Sequence, residues 1–257
     1  MKWSPNGVYS AAKGQLGSIR QIYLKSNRIH ARRDFDQFDE HVVLLHGFFQ
    51  TRQIFLVMEE RLRQDGYGCM SFDLGGLFGR YNARPVDDLA KLVAEKVDRV
   101  MQRHPVQAVH IVGHSKGGLV ARRWVQHFGG LARVKSVTTL GTPHHGTPTA
   151  LAGYALGLGA LSRNPRELLP RSPVIQALAR DTFPSHIPLA SLYSKSDAVC
   201  PWWCSVLRPR PGEEAMENVE LTGLGHSELC WDPQVYNLVR ERLDAASVLW
   251  RERNEAQ

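Results

Sequence analysis

The stretch Val109-His110-Ile111-Val112-Gly113-His114-Ser115-Lys116-Gly117-Gly118-Leu119-Val120-Ala121 decides how this chain folds. Its first four residues form a β-run and its last three begin a helical run. Between them, residues 113–117 read Gly-x-Ser-x-Gly. That pattern alone is a weak signal. Placed between a strand and a helix it marks a strand-to-helix elbow. The turn is tight, so the positions two before and two after the serine must be small. Such an elbow lifts Ser115 Oγ clear of the sheet and onto a helix N-terminus, where partial positive charge favours a developing anion. The competing reading is an ordinary Gly-rich β–α turn with Ser115 as a helix cap.

Outward from the elbow, strands and helices alternate. Val42-Val43-Leu44-Leu45 is a continuous run of β-formers, suited to a strand buried on both faces. A helical stripe (Ile54, Phe55, Met58, Leu62) follows within Thr51–Gln64 and stops at Gly66. Further strands are expected at Tyr67–Phe72, Ala108–Val112, Val134–Leu140, Pro188–Tyr193 and Asn218–Leu221. Further helices are expected at Val86–Arg103, with Asp87 or Asp88 as cap, and at Gly117–Phe128, closed by Gly129-Gly130. A last helix runs from the Asp232-Pro233 cap to about Trp250. This order predicts an α/β fold: a mainly parallel sheet of about six strands with helices on both faces. Residues 1–40 read as an N-terminal extension with a helical stripe (Leu16, Ile19, Ile22, Tyr23). Residues 41–257 read as the main domain, interrupted by an insertion at 147–186.

Composition is compatible with one domain of 257 residues, 43% of them hydrophobic. The 14 Pro and 22 Gly are dispersed, which excludes collagen and low-complexity disorder. The longest apolar run, Ala150–Leu161, falls short of the ~20 residues a membrane span needs. No apolar stretch follows Met1-Lys2-Trp3-Ser4-Pro5, so a cytoplasmic location is expected. The spacing Cys200-x-x-x-Cys204 is neither a zinc nor a redox pattern; reduced thiols are expected, with a disulfide in that loop as the alternative. The net charge of +7 allows nucleic acid, anionic membrane or anionic substrate as partners and chooses none of them.

If Ser115 is a nucleophile, it needs oxyanion donors, a base and an orienting carboxylate. One donor is the N–H of Lys116, whose side chain is expected to point to solvent. The other is the N–H of Phe48, in the loop Leu45-His46-Gly47-Phe48-Phe49, where Gly47 permits a strained turn. His46 is expected to hold that loop by hydrogen bonds. The base is assigned to His226, which follows the last strand; His144 and His145 compete from the loop after Leu140. The carboxylate is assigned to Asp197, with Val199 and Pro201 pinning its loop by packing and fixed φ. Phe49, His145 and Trp202 are the candidate substrate-contacting side chains. The order Ser115, Asp197, His226 matches the α/β-hydrolase arrangement.

Four blocks now carry a resemblance: Leu45-His46-Gly47-Phe48, Gly113-His114-Ser115-Lys116-Gly117-Gly118, Leu140-Gly141-Thr142-Pro143-His144-His145-Gly146-Thr147, and Ser194–Pro201 with Gly225-His226-Ser227. Over about residues 42–235 the chain resembles the α/β-hydrolase superfamily, and within it bacterial lipases and esterases. The resemblance implies hydrolysis of carboxylic esters, with a cap or lid built from the insertion after Leu140. The chain departs from relatives at Lys116, where many carry Met, Gln or Leu, and in lacking the usual first strand pair. Some secreted relatives bind a structural calcium near the catalytic histidine; no aspartate pair here suits one. No metal or organic cofactor is expected. The partner is a small-molecule or lipid ester, with transient contact to an anionic lipid interface. The same residues would also serve an acyltransferase. A non-catalytic binding protein would usually have lost one of the three. A nucleic-acid binder finds no basic helix or aromatic–basic motif here.

Overall fold

Burial on both faces turns the apolar run at 42–45 into the middle of a parallel sheet, as its lack of alternation requires. The computed structural model describes residues 32, 34–77, 81–150 and 164–255. Its strands in chain order are β1 (Glu40–Leu45), β2 (Tyr67–Ser71), β3 (Gly76–Leu77), β4 (Tyr81–Asn82), β5 (Val109–His114), β6 (Val134–Leu140), β7 (Leu189–Ser194) and β8 (Met216–Leu221). Six of them form one all-parallel sheet in the order β2-β1-β5-β6-β7-β8. β3 and β4 make a two-residue antiparallel ribbon that has no sequence periodicity to announce it.

The chain steps one way from β1 to β2, then crosses back over β1 to β5. A reversal of this kind opens a crevice at the carboxyl ends of the two strands between which it occurs. Leu45 of β1 is in register with Gly113 of β5, so the 46–50 loop and the elbow leave the sheet side by side.

The helices are α1 (Leu56–Gln64), α2 (Val86–Met101), α3 (Lys116–His127), α4 (Asn164–Glu167), α5 (Pro173–Arg180), α6 (Trp202–Ser205) and α7 (Pro233–Glu255). They cover both sheet faces. Leu89 and Val93 of α2, Leu119 and Trp124 of α3, and Ile175 and Leu178 of α5 share one core with Val43 and Ile111. Met58 and Leu62 of α1 and Val239 and Leu243 of α7 share the other with Val42 and Leu44. The expected Thr51–Gln64 helix begins instead as a 3-10 turn, Arg52–Phe55, before α1. The Asp232 cap is present, with Oδ1 accepting from the N–H of Gln234 (2.8 Å) and Val235 (3.2 Å).

Neither Asp87 nor Asp88 caps α2. Its first residue follows Pro85, and the Val86 N–H donates to Glu167 Oε2 (3.0 Å), a carboxylate from the insertion. Asp87 is instead committed to a two-pronged ion pair with Arg123 of α3, at 2.7 and 2.9 Å. The four cysteines are free and buried. Of the insertion, α4 and α5 lie within the described residues. Most of Ala150–Leu161, and the stripe at Leu16–Tyr23, lie outside them. No described helix is long and apolar enough to cross a membrane.

Candidate active site

Ser115 stands between β5 and α3 with φ 54° and ψ −123°. Few L-residues hold such a conformation, which costs on the order of 1–3 kcal/mol and must be imposed by the surroundings. The Ser115 N–H donates to the Leu140 carbonyl (2.8 Å), and Thr142 Oγ1 donates to the Ser115 carbonyl (2.9 Å). Its side chain makes no capping bond to α3, which removes the helix-cap reading.

The small neighbours are required by contact. A Cβ on Gly117 would lie 2.0 Å from the Leu45 carbonyl oxygen, and one on Gly113 would lie 2.7 Å from Gly118 Cα. Both obstacles are backbone and cannot swing away. Gly117→Ala is therefore expected to destabilise the fold by about 3 kcal/mol, lowering the thermal midpoint by about 10 °C in calorimetry. A midpoint within 2 °C of wild type would show that β1 and α3 can separate without cost.

The loop after β1 is held by a network from β4 and the elbow. Asn82 accepts the Phe49 N–H (3.1 Å) and donates from its own N–H to the Gln50 carbonyl (3.3 Å). Its side-chain Nδ2 donates to the His46 carbonyl (3.1 Å). Gln50 Oε1 accepts the Gly47 N–H (2.9 Å) and lies 2.8 Å from His114 Nδ1. The strained residue is not Gly47 but Phe49, at φ 54°. Gly47 is needed for a different reason: a Cβ there would lie 2.8 Å from both Gln50 Oε1 and Ser115 Cβ. Among the described residues the Phe48 N–H has no acceptor. The Lys116 N–H lies in the first turn of α3, where the carbonyl four residues earlier belongs to β5 and offers no intrahelical acceptor. His46 is fully buried, its Nδ1 lies 3.3 Å from the Gly47 carbonyl, and burial pushes its pKa down to about 4.

The Lys116 side chain does not point to solvent. It is fully buried, with Nζ donating to Asn82 Oδ1 (3.3 Å) and to the Arg84 carbonyl, and lying 5.8 Å from the centroid of the Phe48 ring. An isolated lysine is expected at the surface. Here its partners lie more than 30 residues away, so nothing near it in the sequence betrays them. Burial pushes its pKa below the ordinary 10.5, and the charge of Glu167 opposes that shift. Between the lowered value and 10.5 the unfolded chain binds the extra proton. Lys116 therefore makes stability rise with pH across that window. Lys116→Met is expected to remove this contribution: as pH increases from about 7.5 to 10, melting curves should shift in favour of wild type relative to the variant. A pH-independent difference would contradict it.

Asp197 and His226 meet at the same sheet edge. His226 Nδ1–H donates to Asp197 Oδ2 at 2.7 Å, with both residues buried. Asp197 Oδ1 accepts the N–H groups of Val199 and Cys200, both at 2.8 Å. The loop is thus pinned by backbone donors rather than by Val199 packing, since that side chain is 39% exposed. The ring of His114, next to Ser115, packs at 4.5 Å against the His226 ring with a 49° tilt, and its Nε2 lies 3.0 Å from the His226 carbonyl. Gly141 follows the carbonyl that holds Ser115. It has φ 54°, and a Cβ there would lie 3.1 Å from both Asp197 Oδ2 and His226 Nδ1. Leu140-Gly141 is thus the common floor under serine, histidine and aspartate.

The competing histidines are engaged elsewhere. His144 is buried between Thr139 Oγ1 (3.1 Å) and Arg122 Nη1 (3.3 Å). His145 Nε2–H donates to the Val206 carbonyl (2.9 Å). Phe48 and Phe49 stack edge to face at 5.0 Å and are both half-buried. Trp202 stacks edge to face on Trp203 at 5.9 Å. Nothing in the sequence singles out Asn82, Gln50 or His114 for this network. They act through contacts with no local spacing; only the nearness of Gln50 and His114 to the two motifs hinted at them.

Solved structures share this architecture. A mature Bacillus licheniformis lipase, BlEst2, aligns at TM-score 0.66 and 17% identity, over 83% of this chain and 96% of that one. A Paleococcus ferrophilus monoacylglycerol lipase aligns at 0.57 and 15%, over 81% and 94%. A Bacillus anthracis bromoperoxidase aligns at 0.58 and 16%, over 79% and 91%. At such identities these likenesses speak for the fold alone. The family model described as the α/β hydrolase fold matches residues 40–198, more than half of the chain. With that match, and with a six-stranded parallel sheet carrying the serine on a strained β5–α3 turn, the chain belongs to the α/β hydrolase fold family.

Proposed function

We propose that this protein is a serine hydrolase of carboxylic esters, working through an acyl-enzyme on Ser115. The observation that carries this reading is the pairing of an uncapped serine at φ 54° with a histidine held on a buried carboxylate at the same floor. In this reading His226 Nε2 takes the Ser115 proton as Oγ attacks the acyl carbonyl. Asp197 fixes the tautomer that leaves Nε2 free to accept and stabilises the imidazolium that forms. The N–H groups of Phe48 and Lys116 bind the oxyanion. His226 then returns its proton to the leaving alkoxide. Water, activated by the same histidine, releases the acid and restores Ser115. Phe48 and Phe49 form one wall for the acyl chain.

Lipase- and esterase-like neighbours support the substrate class at the level of fold. The test is hydrolysis of p-nitrophenyl esters of increasing acyl length by wild type, His226→Ala and His145→Ala. Loss of turnover only in His226→Ala is expected. Loss only in His145→Ala would move the base to the β6 loop. A maximum at short chains would mark an esterase, and one at long chains a lipase.

A further inference from the structure

Beside the β6 loop, away from Ser115, lies a cavity of about 210 Å³, lined by Arg122, His144, His145, Arg208, Arg210 and Glu213 among others. None of Ser115, Asp197 or His226 lines it. Its charges do not cancel. Glu213 is buried, and its two carboxylate oxygens are already taken by Arg210 Nη2 (3.0 Å) and Nε (3.3 Å) and by the N–H groups of Arg210 (2.9 Å) and Phe183 (2.8 Å). Arg210 is thus matched. Arg122 and Arg208 are not.

Arg122, on α3, is the more telling. It is 94% buried by virtue of its 6% exposure, yet no carboxylate bonds to it among the described residues. Its Nη2 donates to the Leu178 carbonyl (2.9 Å) and its Nη1 to His144 Nδ1 (3.3 Å). Its Nε is buried with no hydrogen-bond partner. Neither His144 nor His145 can supply a counter-charge, since an imidazole is neutral or cationic, and burial favours the neutral form of both. The charge of Glu213 reaches Arg122, but that carboxylate is bonded to Arg210 and to backbone N–H groups, not to Arg122. Burying a cation with no anion bonded to it is costly, and a guanidinium offers a planar fork suited to two oxygens. Arg208 is exposed, and its side chain makes no hydrogen bond or ion pair among the described residues.

We propose that this cavity is a binding site for a small oxyanion, a carboxylate or phosphate group held between Arg122 and Arg208. The two sources are told apart by the probes. Thermal midpoints are measured at pH 7.5 with sodium phosphate, acetate or butyrate, each against sodium chloride at matched ionic strength. At least one oxyanion at tens of millimolar should raise the wild-type midpoint by about 5 °C over chloride. A response to acetate and butyrate alone assigns the site to carboxylates, and a response to phosphate alone assigns it to phosphate. Arg122→Met should abolish the shift. Arg208→Gln changes an exposed, unbonded side chain, folds normally and should at least halve the shift, so it decides the matter even if Arg122→Met is unstable. No shift beyond chloride in wild type, or a full shift retained in Arg208→Gln, would overturn the site.

Discussion

Replacing Ser115 by alanine should lower kcat on a p-nitrophenyl ester by on the order of 10⁶-fold. The expected size follows from the nucleophile's place at the head of the reaction: without Oγ there is no acyl-enzyme, and His226 and Asp197 have nothing to activate. The fold should survive. Ser115 is held through its backbone, by Leu140 and Thr142, and its side chain caps nothing. Circular dichroism and thermal midpoint should stay near wild type. Combining Ser115→Ala with His226→Ala should add almost nothing, because residues that act as a unit lose their effect together. A residual rate within tenfold of wild type would remove Ser115 from the chemistry.

The second large effect is expected from Asp197→Asn, on the order of 10⁴-fold in kcat with KM little changed. The geometry explains why so small a change matters. An asparagine keeps Oδ1 for the Val199 and Cys200 N–H groups, so the loop holds its shape. Its amide nitrogen then faces His226 Nδ1, where Asp197 Oδ2 accepted a hydrogen bond at 2.7 Å. The amide can only donate. His226 is forced to carry its proton on Nε2, the nitrogen that must accept from Ser115. Loss of less than tenfold would show that another group orients the histidine.

Much of this was legible because a parallel sheet gathers its strand ends on one edge. Ser115, Asp197 and His226 each follow a strand of the parallel sheet, the buried β5 and β7 and the edge strand β8, and that placement alone brings them together. Runs of β-formers mark every strand of the main sheet to within two residues at each end, the first two residues of β1 (Glu40, His41) and of β8 (Met216, Glu217) lying outside the runs. Illegible were the contacts between residues far apart in the chain. Asn82 sits in a two-residue strand too short for any pattern, yet it fastens the 46–50 loop. Glu167 reaches 81 positions back to Val86, so the nearer Asp87 and Asp88 were the natural expectation for a cap. In the sequence Lys116 looks like an exposed charge, because its carbonyl and amide partners appear only after folding. Phe49 carries the positive φ expected of Gly47, since the glycine was needed for closeness to Ser115 rather than for its dihedral angles.

The most direct measurement is covalent trapping with an alkyl fluorophosphonate, which phosphonylates a serine made nucleophilic by an adjacent base. Intact mass should show one adduct per chain, and peptide mapping should place it on Ser115. Ser115→Ala should take up none, and His226→Ala should react far more slowly. No adduct on the folded wild type, or an adduct on another serine that persists in Ser115→Ala, would contradict Ser115 as the nucleophile.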